Sequence, residues 1–109
     1  VLMEHYDYLG KYFIKRNDLQ KEFFANKLIA DYYFTNKQFQ LSKEIYSMLY
    51  NSKDILDPVD SGVANEIYKK LYISLLHTNN LLEACIMLND IKESNYFDVK
   101  NYIKEYCPQ

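Results

Sequence analysis

Apolar residues recur at helical spacing along nearly the whole chain. Leu2, Tyr6, Leu9 and Phe13 stand at steps of 4, 3 and 4 and trace one helical face. Lys15-Arg16-Asn17-Asp18 then reads as a turn, with basic residues closing one helix and Asn17 or Asp18 capping the next. A second helix is predicted from Asp18 to Phe34. Leu19, Phe23, Ala30 and Tyr33 lie on one side of it, and Phe24, Leu28 and Tyr32 widen that face. An apolar face this wide implies contact on two sides.

The polar stretch Thr35 to Gln38 separates this helix from a third, which carries Phe39, Ser42, Ile45, Tyr46 and Leu49. Asn51 to Asp57 reads as a loop. Asp57-Pro58-Val59-Asp60 is a helix start, with an Asp cap and proline in the first helical position. The fourth helix bears Val59, Val63, Ile67, Leu71 and Leu75. After a turn at His77 to Asn80, the fifth holds Leu81, Ala84, Met87, Leu88 and Ile91. Asn95 is placed to cap a short sixth helix with Val99, Tyr102, Ile103 and Tyr106, ending before Pro108. Only two glycines and two prolines interrupt 109 residues, which disfavours a many-turned β fold. The expectation is an all-α chain of stacked antiparallel helical hairpins, about six helices in one segment.

The second and third helices match the fourth and fifth at an offset of 42 residues. Ile29, Tyr33, Phe39, Ser42, Ile45, Tyr46 and Leu49 become Leu71, Leu75, Leu81, Ala84, Met87, Leu88 and Ile91. Each position is apolar or small in both copies. The repeat-like units span about 18–50 and 58–93, and a period of this length implies a helix-turn-helix solenoid whose units cover one another's apolar faces. The first unit resembles a tetratricopeptide repeat: Ile29-Ala30, Tyr33, Ser42, Tyr46 and Leu49 stand at that family's signature spacing. The second is similar to a pentatricopeptide repeat, through Tyr68 to Tyr72, Asn79 to Ala84 and Met87 to Ile91. Together these cover about 70 of the 109 residues. Irregular helical pairs with variable loops are also similar, more loosely, to nuclear-pore and vesicle-coat solenoids.

The resemblances imply different partners. Tetratricopeptide-type repeats bind proteins; pentatricopeptide repeats bind single-stranded RNA at about one base per unit. At the two positions where the RNA-binding family places a base-reading polar residue, this chain has Lys27 and Lys69. Lysine suits phosphate better than a base edge. If the units stack in the usual way, Lys27, Asp31, Lys69 and Lys70 are the exposed partner-binding candidates. Lys69-Lys70 also reads as the wet side of an amphipathic helix.

Composition narrows the field further. A net charge of −2 counts against a dedicated nucleic-acid binder. Twelve tyrosines and no tryptophan suit half-buried interfaces, and equally suit an A/T-rich coding sequence. His5, His77, Cys85 and Cys107 have no metal-ligand spacing, no glycine-rich phosphate loop exists, and the carboxylates are scattered. No catalytic site, cofactor, metal or small-molecule substrate is expected. Two cysteines in separate segments are too few for a disulfide scaffold, so reduced thiols and an intracellular setting are expected. No apolar run approaches a membrane span. The chain, opening at Val1, reads as a fragment of a longer protein, with flanking helices to cover Leu2, Leu9, Ile103 and Tyr106. The function expected is a structural scaffold or protein-interaction segment of a larger intracellular assembly; the alternative is RNA binding in an organelle.

Overall fold

A computed structural model describes residues 6–52, 61–92 and 98–107, with side chains over 18–52, 62–92 and 98–107. Five helices and no strands are present among them: α1 (Tyr6–Thr35), α2 (Phe39–Asn51), α3 (Ser61–His77), α4 (Leu81–Asp90) and α5 (Val99–Tyr106). The expected turn at Lys15 to Asp18 is absent, because α1 runs through it as one helix of 30 residues. No proline interrupts that stretch. Lys, Arg, Asn and Asp each cost only a few tenths of a kcal/mol in a helix interior, whereas a break would leave two further helix ends to be capped. The predicted start at Asp57-Pro58, the cap at Asn95 and the positions of Leu2 and Pro108 lie outside the described residues.

Contacts between side chains set the directions of the helices. Phe34 meets Phe39 and Tyr46, so α1 and α2 form an antiparallel hairpin. Phe39 stacks on His77, Ser42 bonds Ser74 and Tyr50 packs on Tyr68, so α2 and α3 are antiparallel as well. α4 follows α3 through a second tight turn, and α5 lies against α4. α1 also touches α3, whereas among the described residues the α2 and α4 backbones stand apart. The core follows this path. Phe23 and Ala30 of α1, Tyr46 and Leu49 of α2, Ile67, Leu71, Tyr72 and Leu75 of α3, Met87 and Leu88 of α4 and Val99 of α5 are all buried. Ser42 and Ser74 face each other at zero exposure, with their hydroxyls 2.7 Å apart. Two small side chains let α2 and α3 approach, and each hydroxyl satisfies the other.

The two hairpin turns have the same build. After α1, the Gln38 N–H donates to the Tyr33 carbonyl and the Lys37 N–H to that of Phe34. After α3, the Asn80 N–H donates to Leu75 and the Asn79 N–H to Leu76. Both are Schellman closures, which require a left-handed residue just past the helix. Lys37 and Asn79 supply it, each at φ 61°, and they stand 42 residues apart. Asn tolerates this conformation through its short polar side chain, whereas Lys carries a Cβ penalty of about 1 kcal/mol. Lys37→Gly is therefore expected to stabilise the chain by about 0.5–1 kcal/mol in a urea melt, and Asn79→Gly by a few tenths at most. Equal effects at both sites would contradict this account.

The cysteines depart from expectation. Cys85 on α4 is buried, as its helix face implied, yet it is joined to Cys107 at the end of α5 in a disulfide. Neither cysteine is free. Sparse cysteines argue against a disulfide scaffold, but they do not prevent one staple where the chain folds back on itself. α5 makes that fold-back: its Val99 is buried and its Tyr102 ring packs 5.0 Å from Tyr72. Ile103 packs on the core, and Tyr106 stays about half exposed.

Candidate functional site

Three of the four sequence-selected candidates come together, and not as a free surface. Lys27 and Asp31 are one turn apart on α1, and Glu66 and Lys70 are one turn apart on α3. Each such pair is a natural helix-surface ion pair. Where α1 and α3 meet, the two pairs interlock. Lys27 Nζ lies 2.9 Å from Asp31 Oδ2 and 2.9 Å from Glu66 Oε1. Lys70 Nζ lies 2.8 Å from Glu66 Oε2 and 3.2 Å from Asp31 Oδ1. Lys27 is level with Glu66 and Asp31 with Lys70, so the two helices run in the same direction here. The Tyr46 hydroxyl of α2 donates to Asp31, and the Lys70 ammonium sits over the Phe34 ring. Lys27, expected to be exposed, is buried, and Asp31 and Lys70 are half-buried. Lys69 alone of the four is exposed.

The electrostatics follow from this geometry. Burial disfavours charge on Asp31, but hydrogen bonds from Lys27, Tyr46 and Lys70 outweigh it and hold the carboxyl below its usual range. Hydrogen bonds from Lys70 and Lys27 lower Glu66 as well. Burial opposes the charge on Lys27, yet its bonds to Asp31 and Glu66 raise it above the usual lysine value. Burial, together with the bond to Asp31, pushes Tyr46 far up, so it stays a donor at every ordinary pH. The cluster is a self-neutralised clamp between α1 and α3. Glu66 and Tyr46 were not among the sequence candidates. The i, i+4 spacing of Glu66 and Lys70 was a legible signal for the first; nothing in the sequence pairs Tyr46 with Asp31.

Two other surfaces are open. On α1, Phe24, Leu28 and Tyr32 lie one turn apart along a single face and are 42%, 68% and 64% exposed, with Ile29 beside them at 46%. This is the outer part of the apolar face that the sequence assigned to contacts on two sides. Only its Phe23 and Ala30 edge is covered. The second surface is a groove between α2 and α4. Leu71 and Leu75 of α3 form its floor, with Met87 and the exposed Ile86 on one wall. Its volume is about 930 Å³. Lys43, Glu44, Glu83 and Asp90 stand around it. Tyr50 donates to Asp90, and burial together with that bond raises the Tyr50 phenol above its usual range.

Among the described residues, His, Cys, Asp and Glu form no group of three able to hold a metal ion. No described helix is long and apolar enough to cross a membrane. Compared with protein-family models, curated proteins and solved structures, the chain matches none of them.

Proposed function

We propose that the chain is a protein-interaction segment of a larger assembly, a non-enzymatic helical scaffold in which hairpins stack as in tetratricopeptide-like solenoids. The observation that carries this reading is the exposed apolar face of α1. Four large side chains on adjacent turns are 42% to 68% exposed, and contiguous patches of this kind mark contact sites with other proteins. The matched turns, with left-handed residues 42 positions apart, support the repeat. By that offset, Ala25, Ile29 and Tyr32 correspond to Ile67, Leu71 and Ser74 of α3, which are buried. The α1 face is thus the open end of a stack, suited to a further helix.

RNA binding is the weaker reading. Lys27, one of the two phosphate candidates, is engaged by Asp31 and Glu66, which leaves Lys69 as the exposed cation of the original pair. The paired cysteines also remove the free-thiol argument for a reducing compartment.

Two measurements test the proposal. A photo-crosslinking residue placed at Leu28 is expected to yield a discrete protein adduct in cells that the same group at Lys37 does not. Fluorescent single-stranded RNA pools are expected not to bind at low salt. Tight RNA binding with a steep salt dependence, or no adduct particular to position 28, would overturn the proposal.

A further inference from the structure

We infer that the groove between α2 and α4 is a docking site for an amphipathic helix that carries lysine or arginine along the borders of its apolar stripe. The inference rests on the protein-interaction reading above and assigns the kind of partner. The shape comes first. The α2 and α4 backbones stand apart on either side of α3 and are bridged by the Tyr50–Asp90 hydrogen bond, so α3 is the floor of a trough with two helical walls. Seven residues of α-helix, about 10 Å long and about 10 Å across, fill roughly 800 Å³. The trough holds about 930 Å³, enough for about two turns of a bound helix. Leu71, Leu75 and Met87 close the bottom with apolar atoms, and Ile86 stands on the wall at 63% exposure. An isoleucine so exposed beside an apolar floor is a contact waiting for an apolar stripe, as in other helix-in-groove recognition.

Charge selects the partner. Three carboxylates, Glu44, Glu83 and Asp90, stand around the groove against one cation, Lys43. Glu44 lies on the α2 wall and Glu83 on the α4 wall, so a bound helix passes between acids on both sides. The Gln40 side-chain amide donates a hydrogen bond to Glu44 at 3.0 Å, which orients the carboxylate without cancelling its charge. A helix with basic residues flanking its stripe meets opposite charge on each border, and one with acidic flanks meets like charge on both.

The test uses the full chain and two synthetic helical peptides of about four turns. Both carry Leu at i, i+3, i+4 and i+7; one is flanked by Arg and the other by Glu. Fluorescence anisotropy at low and moderate salt reads their affinities. The Arg peptide is expected to bind about tenfold more tightly than its twin, as two or three exposed ion pairs together provide, and the gap is expected to narrow with salt. Ile86→Asp should abolish binding of the Arg peptide, and Glu44→Lys with Glu83→Lys should erase or invert the preference. All three residues are exposed, so unchanged melting curves will show that the variants stay folded. Equal affinity for the two peptides, or no binding of either, overturns the inference. Loss of binding on Leu28→Asp rather than Ile86→Asp moves the partner to α1, which removes the groove assignment and leaves the interaction reading standing. Groove substitutions that change sedimentation of the chain alone would make a second copy the occupant, which also overturns it.

Discussion

Asp31→Ala is expected to lower the stability of the chain by about 3 kcal/mol, read as a fall in the urea midpoint at unchanged slope. The carboxylate is the acceptor for three donors from three helices: Lys27 of α1, Tyr46 of α2 and Lys70 of α3. Its removal leaves two ammonium groups sharing Glu66 and strips Tyr46, which is fully buried as a residue, of its acceptor. Breaking a wholly buried pair costs about 3–5 kcal/mol, and an exposed pair contributes about 0–1. The Lys27 and Asp31 side chains are 11% and 21% exposed, which places this cluster near the lower end of the buried range. Glu66, at 42%, is better solvated, and Glu66→Ala is expected to cost about 1 kcal/mol. A loss below about 1 kcal/mol for Asp31→Ala would mean that water screens the whole cluster. The pH dependence has a definite sign. Asp31 and Glu66 are held below their unperturbed values of 3.8 and 4.5. Their contribution is therefore full above those values and is lost as pH falls through the lowered ones. Lys27 is held above 10.5, so its contribution is full below that value and is lost as pH rises through the raised one. Asp31→Asn is expected to flatten the acid limb of the stability curve.

Cys107→Ser, or reduction by a dithiol, is expected to cost about 3 kcal/mol and to release α5. The bond closes a chain segment with a sequence separation of 22, for which the loss of unfolded-chain entropy amounts to about 3 kcal/mol. α5 has only 8 residues, too few to be helical in water by itself. Its remaining anchors are Val99, Ile103 and the contact of Tyr102 with Tyr72. Hydrogen exchange should show residues 98–107 losing protection on reduction while α2 and α3 retain theirs. Undiminished protection of α5 in the reduced chain would show that apolar packing suffices to hold it.

The helices were legible because their apolar faces were. Ser42, Tyr46 and Leu49, and likewise Ile67, Leu71 and Leu75, were assigned inward from spacing alone and are buried. A period of 3.6 reports which side of a helix faces the core, and the scarcity of glycine and proline removes competing folds. The break at Lys15 to Asp18 was misread because polar residues suit a helix's wet face as well as a turn. Only neighbouring structure separates those two uses. The disulfide was invisible for a different reason: cysteine spacing carries no information about how α5 packs against α4. Of the candidate site, Lys27, Asp31 and Lys70 were singled out, but as loose surface charges. Their interlocking depends on the register of α1 against α3. That register comes from packing at Ala30 and along α2, which a single-helix pattern does not encode. The groove, likewise, exists only because α2 and α4 stand apart across α3.

The path of the chain through its neighbours also bears on how it assembles. Among the described residues, the closest backbone approaches are mostly between helices adjacent in sequence, with the junction of α1 and α3 the exception. Such a topology closes only short loops, so little chain entropy must be surrendered before a contact is made, and folding belongs to the fast regime of local helical architectures. Each hairpin can nucleate at its own left-handed turn. α3, the helix shared by α1, α2 and α4, is where the two halves commit to each other. The bond between Cys85 and Cys107 makes the α4–α5 contact covalent, so that junction stays closed even when its packing loosens.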